Sequence, residues 1–456
     1  MRWTVLRRAA ISFLLGALAV MAGARTRPHY GGTLRVEVEG DALTAPDAVA
    51  RRLIFDGLTR IGADGDVEPG LAERWEAQNG DHRWEFRLRA GVHFSDGTAL
   101  TASAVEGALA AACGAGCPWT AVHAVGTAVI FTGDAPMPNL PALLAGGAYL
   151  VQRDGSIQAN GVSLEGPYVG TGGFAIDGFA NGVLTLGAND SCWEGRPFLD
   201  GVVIAGHRAV RDQWLDLSVG RADLVEVPAE QLRQAREQRL TVVESGPVEL
   251  LGLSILETGA LAAPQLRAAI ALAVDRGALG NVIFQKQGEV TGSLLPQRVT
   301  GYAFLFPAER DLKKAAEARG GLTAPPLLLS AESGAAMQLA AQRLALNLRE
   351  AGLNVQVAPT GRQGRGELAL VRIRLNGAGP AAELEGLMRA AGSAPPVMEK
   401  TPAGLYRVER EFLERHTLTP LLYLPRAFAV GARVRDLRLA PDGTPLLDGV
   451  SLEDAP

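Results

Sequence analysis

Histidine and cysteine are scarce. Six histidines and three cysteines stand in 456 residues. His29, His82, His93, His123, His207 and His416 include no pair four residues apart, so no helix face carries the two-histidine chelate of a zinc enzyme. The chain has no H-E-x-x-H, no Walker A glycine loop and no G-x-S-x-G elbow, so nothing in it points to metalloprotease, nucleotide-hydrolase or serine-hydrolase chemistry. Excess positive charge is also missing. The formal charge is -5, which gives no electrostatic reason to bind nucleic acid or anionic lipid. Aromatic residues make up only 5%, against 55 glycines, the composition of a turn-rich α/β chain. What is present is ordinary for a globular protein: 47% apolar and 20% charged residues, over a length that calls for two or three domains.

The first residues read as an address. Arg2, Arg7 and Arg8 precede an apolar run from Ala9 to Val20, too short to span a membrane comfortably, and Ala22-Gly23-Ala24 fits an A-x-A cleavage site. The expectation is a signal peptide over 1–24, cleaved after Ala24, and a periplasmic protein; losing the three arginines takes the charge from -5 to -8. Arg7-Arg8 leaves both the general and the twin-arginine export routes open. An oxidising compartment permits a disulfide, and Cys113-Gly-Ala-Gly-Cys117 is a loop able to close on itself. Cys192 reads as a partly buried small apolar residue.

Along the chain, Gly31–Val38 alternates as a strand, and Pro46–Leu58 has the apolar spacing of a helix. Ala63-Asp64-Gly65 and Asn79-Gly80-Asp81 read as hairpin turns, and Thr101 as the cap of a following helix. Cys113–Asn160 yields no assignment. Gly170-Thr-Gly-Gly-Phe-Ala175 fits a dinucleotide fingerprint on paper, but the residues after it read as strand and turn, where a pyrophosphate site needs a helix N-terminus. Further on, Val183–Leu186, Val202–Ile204 and Val248–Ile255 read as strands. Arg211–Val219 and a segment opening at Pro264 read as helices. Leu327–Leu329, an apolar stripe from Met337 to Leu348 closed by Gly352, and Leu353–Val357 form a βαβ-like unit, and Leu418–Ala429 returns as a strand.

The order of these segments carries a resemblance. Phe55-Asp56-Gly57-Leu58, Glu68-Pro69-Gly70-Leu71, Gly91-Val92-His93-Phe94-Ser95-Asp96-Gly97-Thr98, Gly170-Thr171-Gly172, Asn189–Phe198 with Trp193, Gly220-x-x-Asp223-x-x-x-x-Pro228 and Leu266–Arg276 follow one another as in the bacterial extracellular solute-binding proteins of family 5. The resemblance implies an α/β, bilobal periplasmic-binding-protein-like fold of class II type, with an extra domain in one lobe. It places domain I at 25–45, 165–250 and 425–456, domain II at 46–164, and a shortened domain III at 251–424.

It also implies a function. The protein is expected to be a non-enzymatic substrate-binding component of an ABC importer, capturing a peptide or similar small polar solute by hinge closure. Its partners are the solute and an inner-membrane ABC permease. It acts as a monomer, without cofactor, metal, catalytic residue or nucleic acid. In peptide-binding members an aspartate in a pattern like "D-x-x-L-x-x-W-x-x-D-Y-P-D-P" holds the ligand's amino group. Here Ile373 stands in the tryptophan position and Asn376 in the aspartate position, and an amide cannot neutralise an ammonium. Arg372 and Arg374 alternate beside Ile373. Ser254 stands where many members carry asparagine, and Glu249 near where an aromatic is common. Glu249, Ser254, Tyr302, Arg372 and Asn376 are the candidate ligand contacts. A diverged sensor or scaffold of the same fold is the alternative that the short third domain and the missing acid suggest. An extracytoplasmic hydrolase is a second alternative, without a constellation to support it.

Overall fold

Two long antiparallel strands, Thr241–Ile255 and Leu418–Val430, organise the molecule. The computed structural model describes residues 29–43, 49–112, 117–159, 162–332, 334–359 and 366–453. The two strands lie at the centre of an eleven-stranded sheet. On one side follow Leu224–Glu226, Thr33–Glu37, Gly201–Ala205, Val183–Ala188 and Phe174–Ala180. On the other follow Leu368–Arg374, Leu327–Ala331 and Val355–Val357, while Glu289–Val290 pairs with the second long strand off this path.

The sheet therefore has two halves, and each long strand crosses from one to the other. At one end Thr241–Glu244 pairs with Ala427–Val430, and at the other Leu250 and Leu251 pair with Tyr423 and Leu422. Between them the register shifts twice, from Glu244 to Pro247 and from Pro247 to Glu249, and Pro247 faces Pro425. Two opposed prolines supply no N–H to the ladder, so its rungs fail at the crossing point.

The cores follow this division. One buried cluster joins Leu34, Val36, Leu53, Ile54, Phe174, Leu184, Val202, Leu447 and Val450. A second lies under the four-stranded sheet of the 72–132 region, around Phe86, Phe131, Trp84 and Leu109. A third packs Leu266 and Ile270 of helix Pro264–Ala273 and Met337, Leu344 and Leu348 of helix Ala335–Glu350 against the far half of the sheet. On the opposite face, helices Pro380–Ala390 and Pro402–Leu413 bury Leu384, Leu387, Leu405 and Phe412 with Tyr423.

The segments that carry the family resemblance meet in space. Gly172 N–H donates to Ile54 O, Asn189 Nδ2 donates to Gly172 O, and Ser95 N–H donates to Gly170 O. The half-buried Asp56 carboxylate accepts from Thr171 Oγ1 at 2.7 Å and from Trp193 Nε1 at 2.9 Å. Burial pushes its pKa up, against the pull of those two bonds. The glycines are here because backbones touch: a Cβ on Gly70 would stand 2.6 Å from Gly57 O, and one on Gly172 2.5 Å from Leu53 O. Asp223, of the G-x-x-D segment, accepts from Arg35 and Arg433 and so ties three distant stretches together. Burial works against its ionisation, but the hydrogen bonds from Arg433 and Arg35 win and hold its carboxyl at about 2.

Several sequence readings change. The expected Pro46–Leu58 helix is helical only over Arg51–Ile54; 44–48 lie outside the described residues, and Phe55 is extended, delivering Asp56 to Thr171 and Trp193. The unassigned 113–160 region holds a hairpin, Ala121–Val125 with Ala128–Thr132, and a short helix, Leu140–Leu144. The strand read as Val248–Ile255 begins at Thr241. Gly170–Ala175 leads into strand Phe174–Ala180, as read, with no helix to receive a pyrophosphate. Thr101 Oγ1 accepts Ala104 N–H and caps helix Ala102–Ala112. Cys117 is disulfide-bonded, and Cys113 lies outside the described residues. Cys192 is free, and burial pushes its thiol up to about 11, which makes it a poor nucleophile.

Candidate functional site

Parallel strands aim their carboxyl ends at ligands. Here two such sets converge. Thr33–Glu37 and Leu224–Glu226 run parallel in one half, and Leu327–Ala331 and Leu368–Arg374 run parallel in the other. A cavity of about 590 Å³ lies at the carboxyl ends of all four, with Leu424, Pro425, Arg426, Ala427 and Phe428 of the crossing strand as one wall. It is lined by five glutamates, Glu39, Glu226, Glu230, Glu249 and Glu332, and three arginines, Arg372, Arg374 and Arg426.

The arginines are held by carboxylates. Arg372 reaches Glu332 at 3.0 Å and Glu249 at 3.8 Å, Arg374 reaches Glu249 at 3.8 Å, and Arg426 reaches Glu226 at 3.9 Å. Burial pulls the Arg372 pKa down, but Glu249 and Glu332 outweigh it and the net shift is upward. Its alternation with Ile373 matters: the two arginines face the cavity, while Ile373 packs against the cluster around Leu384 and Tyr423. Past Ala331, which pairs with Leu370, no described strand covers the outer edge of 372–374.

Of the candidate residues, Glu249 and Arg372 come together in this cavity. Ser254 lies further along the same strand as Glu249, half-buried between Ala369 and Leu418 in the ladder. Tyr302 is buried, and its hydroxyl donates to Glu409 Oε2 at 2.9 Å, so it braces the core around Tyr406. Asn376 lies beyond the strand end; its amide stands against Gly146 and Gly386, where the 139–149 segment meets helix Pro380–Ala390. Asn139 Nδ2 donates to Glu385 Oε2 at 3.0 Å across that contact. Glu39, Glu230, Glu332 and Arg426 were not singled out from the sequence. The first three each follow closely on the end of a strand, and the carboxyl-end rule applied to the strands would have marked them.

The loop that carries Asn376 has its own anchor. Glu383 is buried and accepts from Asn376 N–H at 3.1 Å and Ala378 N–H at 2.7 Å. Burial raises its pKa to about 7, despite those bonds. A carboxyl raised in the folded state contributes stability that is fully present below its unfolded value, near 4.5, and is lost as pH rises through about 7. Urea denaturation at pH 5 and pH 8 is therefore expected to show a loss on the order of 2 kcal/mol from this group. Glu383→Gln should remove that part of the pH dependence. An identical pH profile in the variant would contradict the assignment.

Two α/β halves joined by crossing strands around a charged interlobe cavity define a bilobal ligand-binding protein of the class II periplasmic type. Comparison with known proteins makes this specific. The model of the bacterial extracellular solute-binding proteins, family 5 (middle region), matches residues 66–382, and the chain belongs to that family, whose work is binding rather than catalysis. A probable di/tripeptide-binding protein of Pseudomonas aeruginosa is 25% identical over 404 residues, 77% of this chain and 76% of that protein. A probable deoxycholate-binding periplasmic protein of Escherichia coli is 47% identical over 49 residues, so the chain covers only 9% of its length in that match. Among solved structures, the periplasmic binding protein DppA from Helicobacter pylori in complex with the peptide STSA superposes with a TM-score of 0.77 at 18% identity, covering 93% of this chain and 99% of that one. No helix among the described residues is long and apolar enough to cross a membrane.

Proposed function

We propose that this protein is the exported, periplasmic substrate-binding component of an ABC importer, processed after Ala24. It takes up a peptide or similar small polar solute between its two halves and presents it, as a monomer, to an inner-membrane permease. The observation that carries the reading is the cavity of about 590 Å³ at the carboxyl ends of strands from both halves, lined by charges of both signs. A peptide is zwitterionic and needs fixed partners for both charges once it is taken out of water. The open edge of 372–374 offers main-chain hydrogen bonds to an extended ligand. The reading includes the three-domain division at 25–45, 165–250 and 425–456, 46–164, and 251–424. It keeps Glu249 and Arg372 as ligand contacts in the cavity, and Asn376, outside that lining, as a contact for the substitution below to test. Two relatives named above as di/tripeptide-binding or peptide-bound add support.

Thermal unfolding with peptide pools tests this. A ligand at a hundred times its Kd adds about 2.7 kcal/mol to the stability of the folded state. A clear rise in Tm with a short peptide is expected. Arg372→Ala, which frees Glu332 and leaves Glu249 with Arg374 alone, should weaken that peptide at least tenfold with little change in the Tm of the unliganded protein. A flat response to every peptide would reject the peptide reading. Asn376→Asp should strengthen binding of ligands with a free amine, and equal affinities would remove Asn376 from the site.

A further inference from the structure

We infer that the cavity selects a solute carrying an organic ammonium group, and that Glu39 and Glu230 hold that group. The inference deepens the reading above and rests on it for the location of the site.

The charges of the cavity do not balance. Five carboxylates face three guanidiniums, and each guanidinium already has a carboxylate within 3.9 Å. Arg372 has two, Glu249 and Glu332. The arginines thus use up Glu226, Glu249 and Glu332. Neither Glu39 nor Glu230 forms an ion pair among the described residues, yet both line the cavity. They come from neighbouring strand ends of one half: Glu39 follows Thr33–Glu37, Glu230 follows Leu224–Glu226, and those strands pair in parallel. The Glu39 N–H donates to Glu226 Oε2 at 2.6 Å, which fixes the first strand end against the second.

The two carboxylates also feel each other. Burial raises the Glu230 pKa, its own N–H and Arg372 lower it, and Glu39 raises it again. Glu230 is half-buried and Glu39 exposed, and two like charges lining one cavity are relieved by a cation between them. Among the described residues, no group of three or more His, Cys, Asp or Glu is arranged to hold a metal ion. An ammonium, with three donors and a single charge, matches two carboxylates in a cavity large enough for a small organic solute. The remaining wall, Arg372 and Arg374 with their backbone edge, faces the rest of the ligand, a peptide's carboxylate included. The aspartate position taken by Asn376 has lost its charge, and Glu230 and Glu39 supply the negative partners from the opposite half of the molecule.

Calorimetric titration of the purified full-length mature protein tests this with three probes: trialanine, N-acetyl-trialanine and 1,4-diaminobutane. Free trialanine is expected to bind at least tenfold more tightly than its acetylated form. Glu230→Gln should remove most of that difference by weakening the free peptide alone, and Glu39→Gln should do the same in part. Equal binding of the free and acetylated peptides would overturn the inference and leave the peptide reading standing. An undiminished preference in both Gln variants would equally overturn it. Binding of the diamine without either peptide would sustain the ammonium site and overturn the peptide reading. Silence with all three probes would overturn both.

Discussion

A single methyl group placed on Gly170 is expected to cost roughly 3–5 kcal/mol of stability. Its Cβ would overlap the carbonyl oxygen of Ile54 and stand 2.6 Å from Phe55 Cδ1. Neither obstacle is the far end of a flexible side chain. Ile54 O also accepts the Gly172 N–H, and Gly170 O accepts the Ser95 N–H, so moving the backbone apart breaks the bonds that hold three segments at one junction. A domain holds only about 5–15 kcal/mol in total, so the loss is a large share of it. Chemical denaturation of Gly170→Ala measures the cost, and a loss below about 1 kcal/mol would show that the junction yields. Gly107→Ala is the control. It lies in helix Ala102–Ala112 with nothing within 4 Å of the new Cβ, and it should gain roughly 0.5–1 kcal/mol from helix propensity.

Glu409→Ala is the second large effect, also roughly 3–5 kcal/mol. Glu409 sits fully buried on helix Pro402–Leu413. One oxygen accepts from Ser293 Oγ at 2.6 Å and from the N–H groups of Leu294 at 2.5 Å and Leu295 at 3.3 Å; the other accepts from the Tyr302 hydroxyl. Burial pushes the carboxyl's pKa up, so removing it relieves some desolvation. Leu294 N–H and the Tyr302 hydroxyl are then left without an acceptor in a dry core, at about 1–3 kcal/mol each, while Ser293 Oγ keeps Leu295 O at 2.8 Å and Leu295 N–H keeps Ser293 Oγ at 3.3 Å. That term wins. Tyr302→Phe loses one donor with its bond and should cost only about 1–2 kcal/mol, without altering solute affinity. If Tyr302→Phe changed affinity and left stability intact, the tyrosine would belong to the ligand and not to the core.

These two variants also mark what could be read from the chain. Asp56, Gly57, Gly170, Gly172, Asn189 and Trp193 belong to turns whose order identified the family, and they converge because short motifs of glycine and one fixed polar group encode local backbone geometry. Helix Pro264–Ala273 and helix Ala335–Glu350 were legible from apolar spacing, since each buries a single face. The site was harder to read. Glu249 and Arg372 are candidates through their positions beside recognisable strands, but their meeting depends on the pairing of Leu251 with Arg372 across 121 positions of chain. Glu39, Glu230 and Glu332 lie in loops without a motif, and only the arrangement of strand ends makes them neighbours. Tyr302 stands among the candidate ligand contacts, whereas a carboxylate 107 positions away turns it inward.

Pro247 and Pro425, opposed at the crossing, give the cavity an unusual relation to its own pivot. A ribbon of two bonded strands resists sliding, because every rung would have to break together, but it bends where rungs are missing. The bend therefore falls beside Ser245, whose Oγ accepts the Arg426 N–H at 3.0 Å. Pro425, Arg426 and Ala427, which line the chamber, would then be its fulcrum as well. On the proposed reading of hinge closure, a solute lodged there would press on the joint itself, with no lever between occupancy and rotation, and the angle between the two halves would report directly on what fills the space.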